Sequence, residues 1–237
     1  MALKEVEYKG KAFPISYLIE NKSDKTILFL HGWGSNKEIM HGSFKNYLKE
    51  YKHIYIDMPG FGESENSNIL TTQDYANIIS IFLKELKVEP TIIAGHSFGG
   101  KVATLLNPKN LVLLSSAGVL VPKPFSIRAK IAIFKLLKPL GISKFRKLFV
   151  SGDAKEMNAG MYETFKNVVN EPFEENFKNY SGKALLFWGK EDTATPLWTA
   201  EKINNLINNS KLFPLNGDHF FFVKTSKFIA QTIEQKL

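Results

Sequence analysis

Six short apolar runs recur along this chain, each bounded by glycine or proline: TILFLHG (26–32), HIYIDMPG (53–60), TIIAGHS (91–97), LVLLSSAG (111–118), ALLFWGKED (184–192) and KLFPLNG (211–217). A strand with one wet face alternates polar and apolar residues. Continuous apolarity over so few residues instead suits strands covered on both faces, and the first five runs are expected to form a parallel sheet. Ahead of them, KEVEYKG and AFPISYLIE alternate, as an opening antiparallel hairpin with one wet face would. Helical spacing fills most of the gaps, at 37–50, 72–87 with Thr71 or Thr72 as cap, 98–106, 198–208 and 219–236. Strands alternating with helices predict a mostly parallel, doubly wound α/β sheet.

One gap breaks the rhythm. Between Gly118 and Gly182 lies far more chain than a crossover helix needs, with helical patterns at 126–138 and 155–170. This reads as a helical cap inserted after the sixth strand, so that residues 1–118 and 182–237 form the core and residues 119–181 the cap. Eight basic residues and no acidic one lie between Val119 and Gly152, Arg128, Lys135 and Lys138 among them. Such a face suits an acidic carrier protein, an anionic surface or a small anionic substrate. The charge of the whole chain, +8, is less informative, because lysine supplies nearly all of it and asparagine is abundant too, as in a composition bias. Nucleic acid is not an expected partner. No apolar stretch is long enough to cross a bilayer and no secretory segment opens the chain, so a cytoplasmic location is expected. With no cysteine, disulfides, thiol catalysis and cysteine-bound metals are excluded. The histidines show no metal-ligand spacing, and no cofactor is expected.

The polar residues gather where the apolar runs end. In open α/β sheets ligands bind beyond the carboxyl ends of the strands, so HGWGS (31–35), DMPGFGES (57–64), GHSFGG (95–100), Asp192 and His219 would all face one crevice. A serine flanked at two removes by glycine can sit on a strained strand-to-helix turn, its hydroxyl exposed.

In order and spacing, these motifs, with WGKEDTATP and GDHFF, resemble the α/β-hydrolase superfamily over nearly the whole chain. The resemblance implies Ser97 as nucleophile, Asp192 as triad acid and His219 as base, with the backbone N–H groups of Trp33 and Phe98 stabilising an oxyanion. Glu191 and Asp218 compete with Asp192 for the acid role. His31 and His96 fit loop-shaping roles, and Asp57 a structural anchor. Trp33, Phe98, Phe134, Trp188 and Phe220, with Phe61, Phe125 and Trp198 beside them, are candidates for an apolar substrate pocket. The implied activity is that of a carboxylesterase-like serine hydrolase, cleaving a small ester or thioester with an apolar acyl or alkyl part through an acyl-enzyme. Two other readings stay open: a carbon–carbon bond hydrolase of ring-fission-type diketones, and a triad-bearing small-molecule receptor with slow turnover. The first would call for an arginine near the site, and only Arg128 and Arg146 are available. HGWGS is also similar to the corresponding loop of the esterases that demethylate pimeloyl-carrier-protein methyl ester.

Overall fold

The computed structural model describes residues 2–122 and 158–237. Its eight strands form one sheet in the order β1-β2-β4-β3-β5-β6-β7-β8. The expected hairpin is β1 (Ala2–Tyr8) and β2 (Lys11–Glu20), which pair antiparallel. β2 runs antiparallel to β4 (Lys52–Ile56). From there across β3 (Thr26–Leu30), β5 (Ile92–His96), β6 (Asn110–Leu114), β7 (Lys183–Gly189) and β8 (Ser210–Leu215) every pairing is parallel. The parallel region thus includes the sixth apolar run as well as the first five. β8 is the edge strand, where Pro214 is tolerated because its missing N–H deprives no further neighbour.

The apolar runs are continuous because both faces of the sheet are covered. Leu28, Leu30, Ile54, Ile56, Ile93, Leu111, Leu113 and Leu186 pack on one side with Tyr75, Ile79 and Phe82 of α2 (Thr72–Glu85) and Val102 of α3 (Phe98–Leu105). Ile203 of α6 (Leu197–Leu206) joins them. Their alternates Ile27, Phe29, Tyr55, Ile92, Val112, Leu185 and Phe187 pack on the other side with Met40 and Phe44 of α1 (Lys37–Phe44) and Ile229 and Ile233 of α7 (Phe222–Lys236). Each fully buried Phe, Leu or Ile contributes about 1.5–3 kcal/mol, so this two-layer core holds the strand tips in place.

Two helix boundaries differ from the sequence expectation. α1 stops at Phe44 rather than residue 50; a helix to residue 50 is also incompatible with Leu48, which turns left-handed (φ 52°) and whose carbonyl accepts from His53 Nε2 in β4 at 2.9 Å. The last helix begins at Phe222 rather than residue 219: the Asp218 carboxylate accepts the Phe220 N–H at 2.8 Å, closing a turn that leaves His219 outside the helix. The long connection does follow β6. Of it the described part contains α4 (Ala159–Val169) and α5 (Glu174–Lys178). The helical pattern at 126–138, the basic run and most of the expected cap lie outside the described residues.

α4 rests on the loop between β4 and α2. Leu70 N–H donates to Thr164 Oγ1 at 2.9 Å and Asn158 Nδ2 donates to Asn66 O at 3.0 Å. The approach is close enough that a Cβ on Gly160 would stand 1.9 Å from the Ser67 carbonyl oxygen.

Candidate active site

The chain turns one way from β3 to β4 and the other way from β5 to β6, so β3 and β5 lie side by side at the switch point of the sheet. Between β5 and α3 stands Ser97, at φ 51° and ψ −115°, a conformation that costs an ordinary residue on the order of 1–3 kcal/mol. The flanking glycines make it attainable. A Cβ at Gly95 would lie 2.3 Å from Gly99 O, and one at Gly99 would lie 2.5 Å from His31 O. Only glycine lets the turn fold this tightly against β3. α3 then carries Phe98 at its first position, and the Phe98 and Trp33 backbone N–H groups make no hydrogen bond to another described group.

Beyond β7 and β8 the acid and the imidazole meet. His219 Nδ1 is 2.7 Å from Asp192 Oδ2. The other oxygen, Oδ1, accepts the N–H groups of Ala194 and Thr195 at 2.8 and 2.9 Å, and Thr195 Oγ1 donates to Oδ2 at 2.8 Å. Burial alone would raise the Asp192 carboxyl, but the bonds from His219 and Thr195 outweigh it and hold it down to about 2. Asp192 is therefore ionised and acceptor-only, which puts the proton on Nδ1 of His219 and leaves Nε2 with its lone pair. Of the three acidic candidates Asp192 alone reaches the imidazole; Asp218 closes its own turn. Thr195 was not singled out from the sequence, although a threonine three residues after an aspartate is the spacing at which a side chain and a backbone N–H can both cap a carboxylate.

Two further histidines brace the site. His96 is buried, donates from Nε2 to the carbonyl oxygen of His219 at 3.0 Å, and its ring lies tilted against that of His219 with centroids 4.7 Å apart. Burial pushes its pKa down to about 3, so the ring is neutral, and its Nδ1 has no partner among the described residues. His31 accepts the Met58 N–H at Nε2 (3.0 Å) and donates from Nδ1 to Gly32 O (2.7 Å), joining the loops after β3 and β4; burial lowers it to about 4. Asp57 is an anchor, taking the Lys37 N–H and ammonium at 2.7 Å each and the Glu63 N–H at 3.0 Å.

A cavity of about 280 Å³ opens against Ser97. Trp33, Phe98, Val119, Leu120, Phe165, Val168 and Val169 make most of its wall apolar, with Ala194 and Thr195 on the acid's side. Trp33 meets Phe61 and Phe98 edge to face. Of the expected pocket residues, Phe61 packs against Trp33 outside the wall, and three more are elsewhere. Trp188 is wholly buried beneath the acid loop, its indole donating to Thr195 O at 2.7 Å, and Phe220 is half exposed beside His96. Trp198 is half exposed on α6. Phe125 and Phe134, with Arg128 and Arg146, lie outside the described residues. Lys101, Asn170 and Glu171 also line the wall, and none was expected there.

Among the described residues no group of three or more His, Cys, Asp or Glu side chains could hold a metal ion, and no helix is long and apolar enough to cross a membrane.

Comparison with known proteins agrees with this architecture. Residues 25–136 match the family model described as the alpha/beta hydrolase fold. An uncharacterized hydrolase of Bacillus subtilis, YugF, is 27% identical over 232 residues, 83% of each chain. The pimeloyl-[acyl-carrier protein] methyl ester esterase of Proteus mirabilis is 31% identical over 88 residues, 36% of this chain and 33% of that one. Among solved structures, a thermophilic esterase from Thermogutta terrifontis superposes with a TM-score of 0.76 over 99% of this chain and 97% of its own, at 15% identity. The matched segment runs from β3 through the turn at Ser97, and the structural likeness covers both flanks of the long connection: the chain has the α/β-hydrolase fold.

Proposed function

We propose that the chain is a serine-dependent esterase acting on a small ester whose acyl part is largely apolar. The observation that carries this reading is the 2.7 Å contact between Asp192 and His219, set beside a serine on a strained turn in the wall of an apolar cavity. An isolated serine hydroxyl is a poor nucleophile at neutral pH. As Ser97 Oγ attacks the ester carbonyl, His219 Nε2 takes its proton, and Asp192 stabilises the resulting imidazolium. The carbonyl oxygen gains negative charge and accepts hydrogen bonds from the Trp33 and Phe98 N–H groups, helped by the positive end of α3; one such donor is worth about 3–4 kcal/mol. The tetrahedral intermediate then collapses. The alcohol leaves with the proton from His219, and the acyl group remains on Ser97 until a water, deprotonated by the same imidazole, releases the acid. The similarity to an esterase of pimeloyl-carrier-protein methyl ester in sequence, and to a thermophilic esterase in fold, fits this reading.

The test is labelling by a fluorophosphonate together with hydrolysis of short p-nitrophenyl esters. Wild type is expected to label and turn over. Ser97→Ala should lose labelling and at least about a thousandfold in turnover while keeping its melting temperature. Full activity in Ser97→Ala would overturn the assignment, and labelling with negligible turnover of any ester would favour a receptor.

A further inference from the structure

Two sets of polar groups line the cavity: Ser97 and Thr195, which the esterase reading makes its reactive end, and Lys101, Asn170 and Glu171, taken as its far end, with apolar residues making up most of the rest of the wall. Lys101 stands on α3 about one helical turn after Ser97 and is almost fully buried, with 2% of its side chain exposed. A buried ammonium carries a desolvation penalty of several kcal/mol unless it is well paired. Lys101 Nζ donates to the Val168 carbonyl in the last turn of α4 at 2.9 Å, pairs with Glu171 Oε2 at 2.5 Å, and lies over the Phe173 ring at 5.1 Å. The same Oε2 accepts the Thr72 hydroxyl at 2.5 Å. One carboxylate oxygen is thus doubly engaged. The other, Oε1, has no hydrogen-bond partner among the described residues, and the Glu171 side chain is 31% exposed where it lines the cavity.

An ion pair that merely fastened α4 to α3 would have no need to sit in the cavity wall with an uncommitted oxygen. We propose that Glu171, held by Lys101 and Thr72, is a specificity-determining residue for a substrate whose acyl chain ends in a neutral hydrogen-bond donor, a hydroxyl or a primary amide. The inference rests on the esterase reading for where the ester carbonyl lies. The apolar middle of the chain contacts Val168, Val169 and Phe165, and the terminal donor satisfies Glu171 Oε1. A terminal carboxylate would meet the Glu171 charge with Lys101 already paired. A terminal ammonium would add an unbalanced positive charge beside a pair that is already neutral, at the desolvation cost of a buried ion. A neutral group escapes both, and a plain alkyl end would strip water from Glu171 with nothing in return.

The experiment compares p-nitrophenyl hexanoate with p-nitrophenyl 6-hydroxyhexanoate and the mono-p-nitrophenyl ester of adipic acid, with eight- and ten-carbon homologues to find the length and the enzyme-free rate subtracted for each. Wild type is expected to favour the hydroxyl-ended ester over the plain one by about tenfold in kcat/KM, and over the acid-ended one by more. Removing Glu171 alone would strand a buried ammonium, so the variant is the double replacement Lys101→Met with Glu171→Leu, read as the ratio between esters so that any loss common to both cancels. Its ratio should invert in favour of the alkyl end. A wild-type preference for the plain or acid-ended ester at every length, or an unchanged ratio in the double variant, overturns the proposal. Binding of 6-hydroxyhexanamide and hexanamide to Ser97→Ala separates this inference from the esterase reading. A hydroxyl preference in binding without turnover in wild type sinks only the esterase reading, and turnover without that preference sinks only this one.

Discussion

The reactive end of the cavity and its far end are built by different means. At the reactive end every functional group stands on a strand tip or within a few residues of one, fixed by the parallel sheet and its two covered faces. At the far end the groups come from the body of α3, the first residue of α2 and the chain just past α4. On the proposed reading the sheet would set the chemistry, while the long connection between β6 and β7, free to vary without disturbing a strand, would set what fits beside it. Perturbing the triad of the first region should cost turnover, perturbing its buried histidine braces should cost stability, and perturbing the second region should cost stability or selectivity with little change in turnover.

The largest effect is expected from the acid. Asp192→Asn keeps the shape but removes the charge and reverses the preferred tautomer of His219, and kcat should fall by about 10³–10⁴-fold. Glu191→Gln, one residue away on the same loop, should change it less than about twofold. Equal losses would move the acid elsewhere and undo the picture of a reactive end set by one carboxylate.

Next in size is the pH response. The unfolded chain protonates its histidines near the ordinary value of about 6.5, whereas folded His96 and His31 resist until about 3 and about 4. Both contributions are complete above pH 6.5. Between pH 6.5 and 4 the unfolded chain binds more protons, so stability falls with pH, by up to about 1.4 kcal/mol per pH unit for each ring. Denaturant unfolding at pH 7, 6 and 5 should show this slope, to which His53, also held below its ordinary value by burial, adds; His96→Gln, which keeps a donor but cannot titrate, should remove one ring's share of it. An unchanged slope in that variant would mean that His96 is not the buried neutral brace described above.

The smallest effect belongs to the far end. Gly160→Ala places a methyl group against the Ser67 carbonyl and should lower stability by about 1–3 kcal/mol through displacement of α4, while kcat on a plain short ester changes far less. A comparable drop in kcat would show the two ends to be mechanically coupled.

These two regions also differ in what could be read from the chain. The strands were legible because covering a sheet on both sides forces an unbroken apolar run, and the turn at Ser97 because its close approach admits only glycine at 95 and 99. The end of α1 was not. Met40, Phe44, Leu48 and Tyr51 continue a helical spacing and are all buried, yet the last two reach the core from a turn. Lys101 was passed over for a related reason: a lysine in a helix ordinarily faces water, and only the placement of Val168 and Glu171 gives it somewhere dry to go. Trp188, an aromatic at the end of a strand, was assigned to the pocket because composition cannot tell a pocket wall from the layer beneath it.

The placement of the three tryptophans has an optical consequence. Trp33 lies in the cavity wall, Trp188 is wholly enclosed under the acid loop and Trp198 is half exposed on α6. Their emission should therefore separate by environment. Iodide quenches Trp198 first, a ligand entering the cavity perturbs Trp33, and the blue-shifted component from Trp188 survives both, disappearing only when the sheet comes apart. Intrinsic fluorescence of the unlabelled chain can thus distinguish occupancy of the cavity from loss of the fold in a single titration.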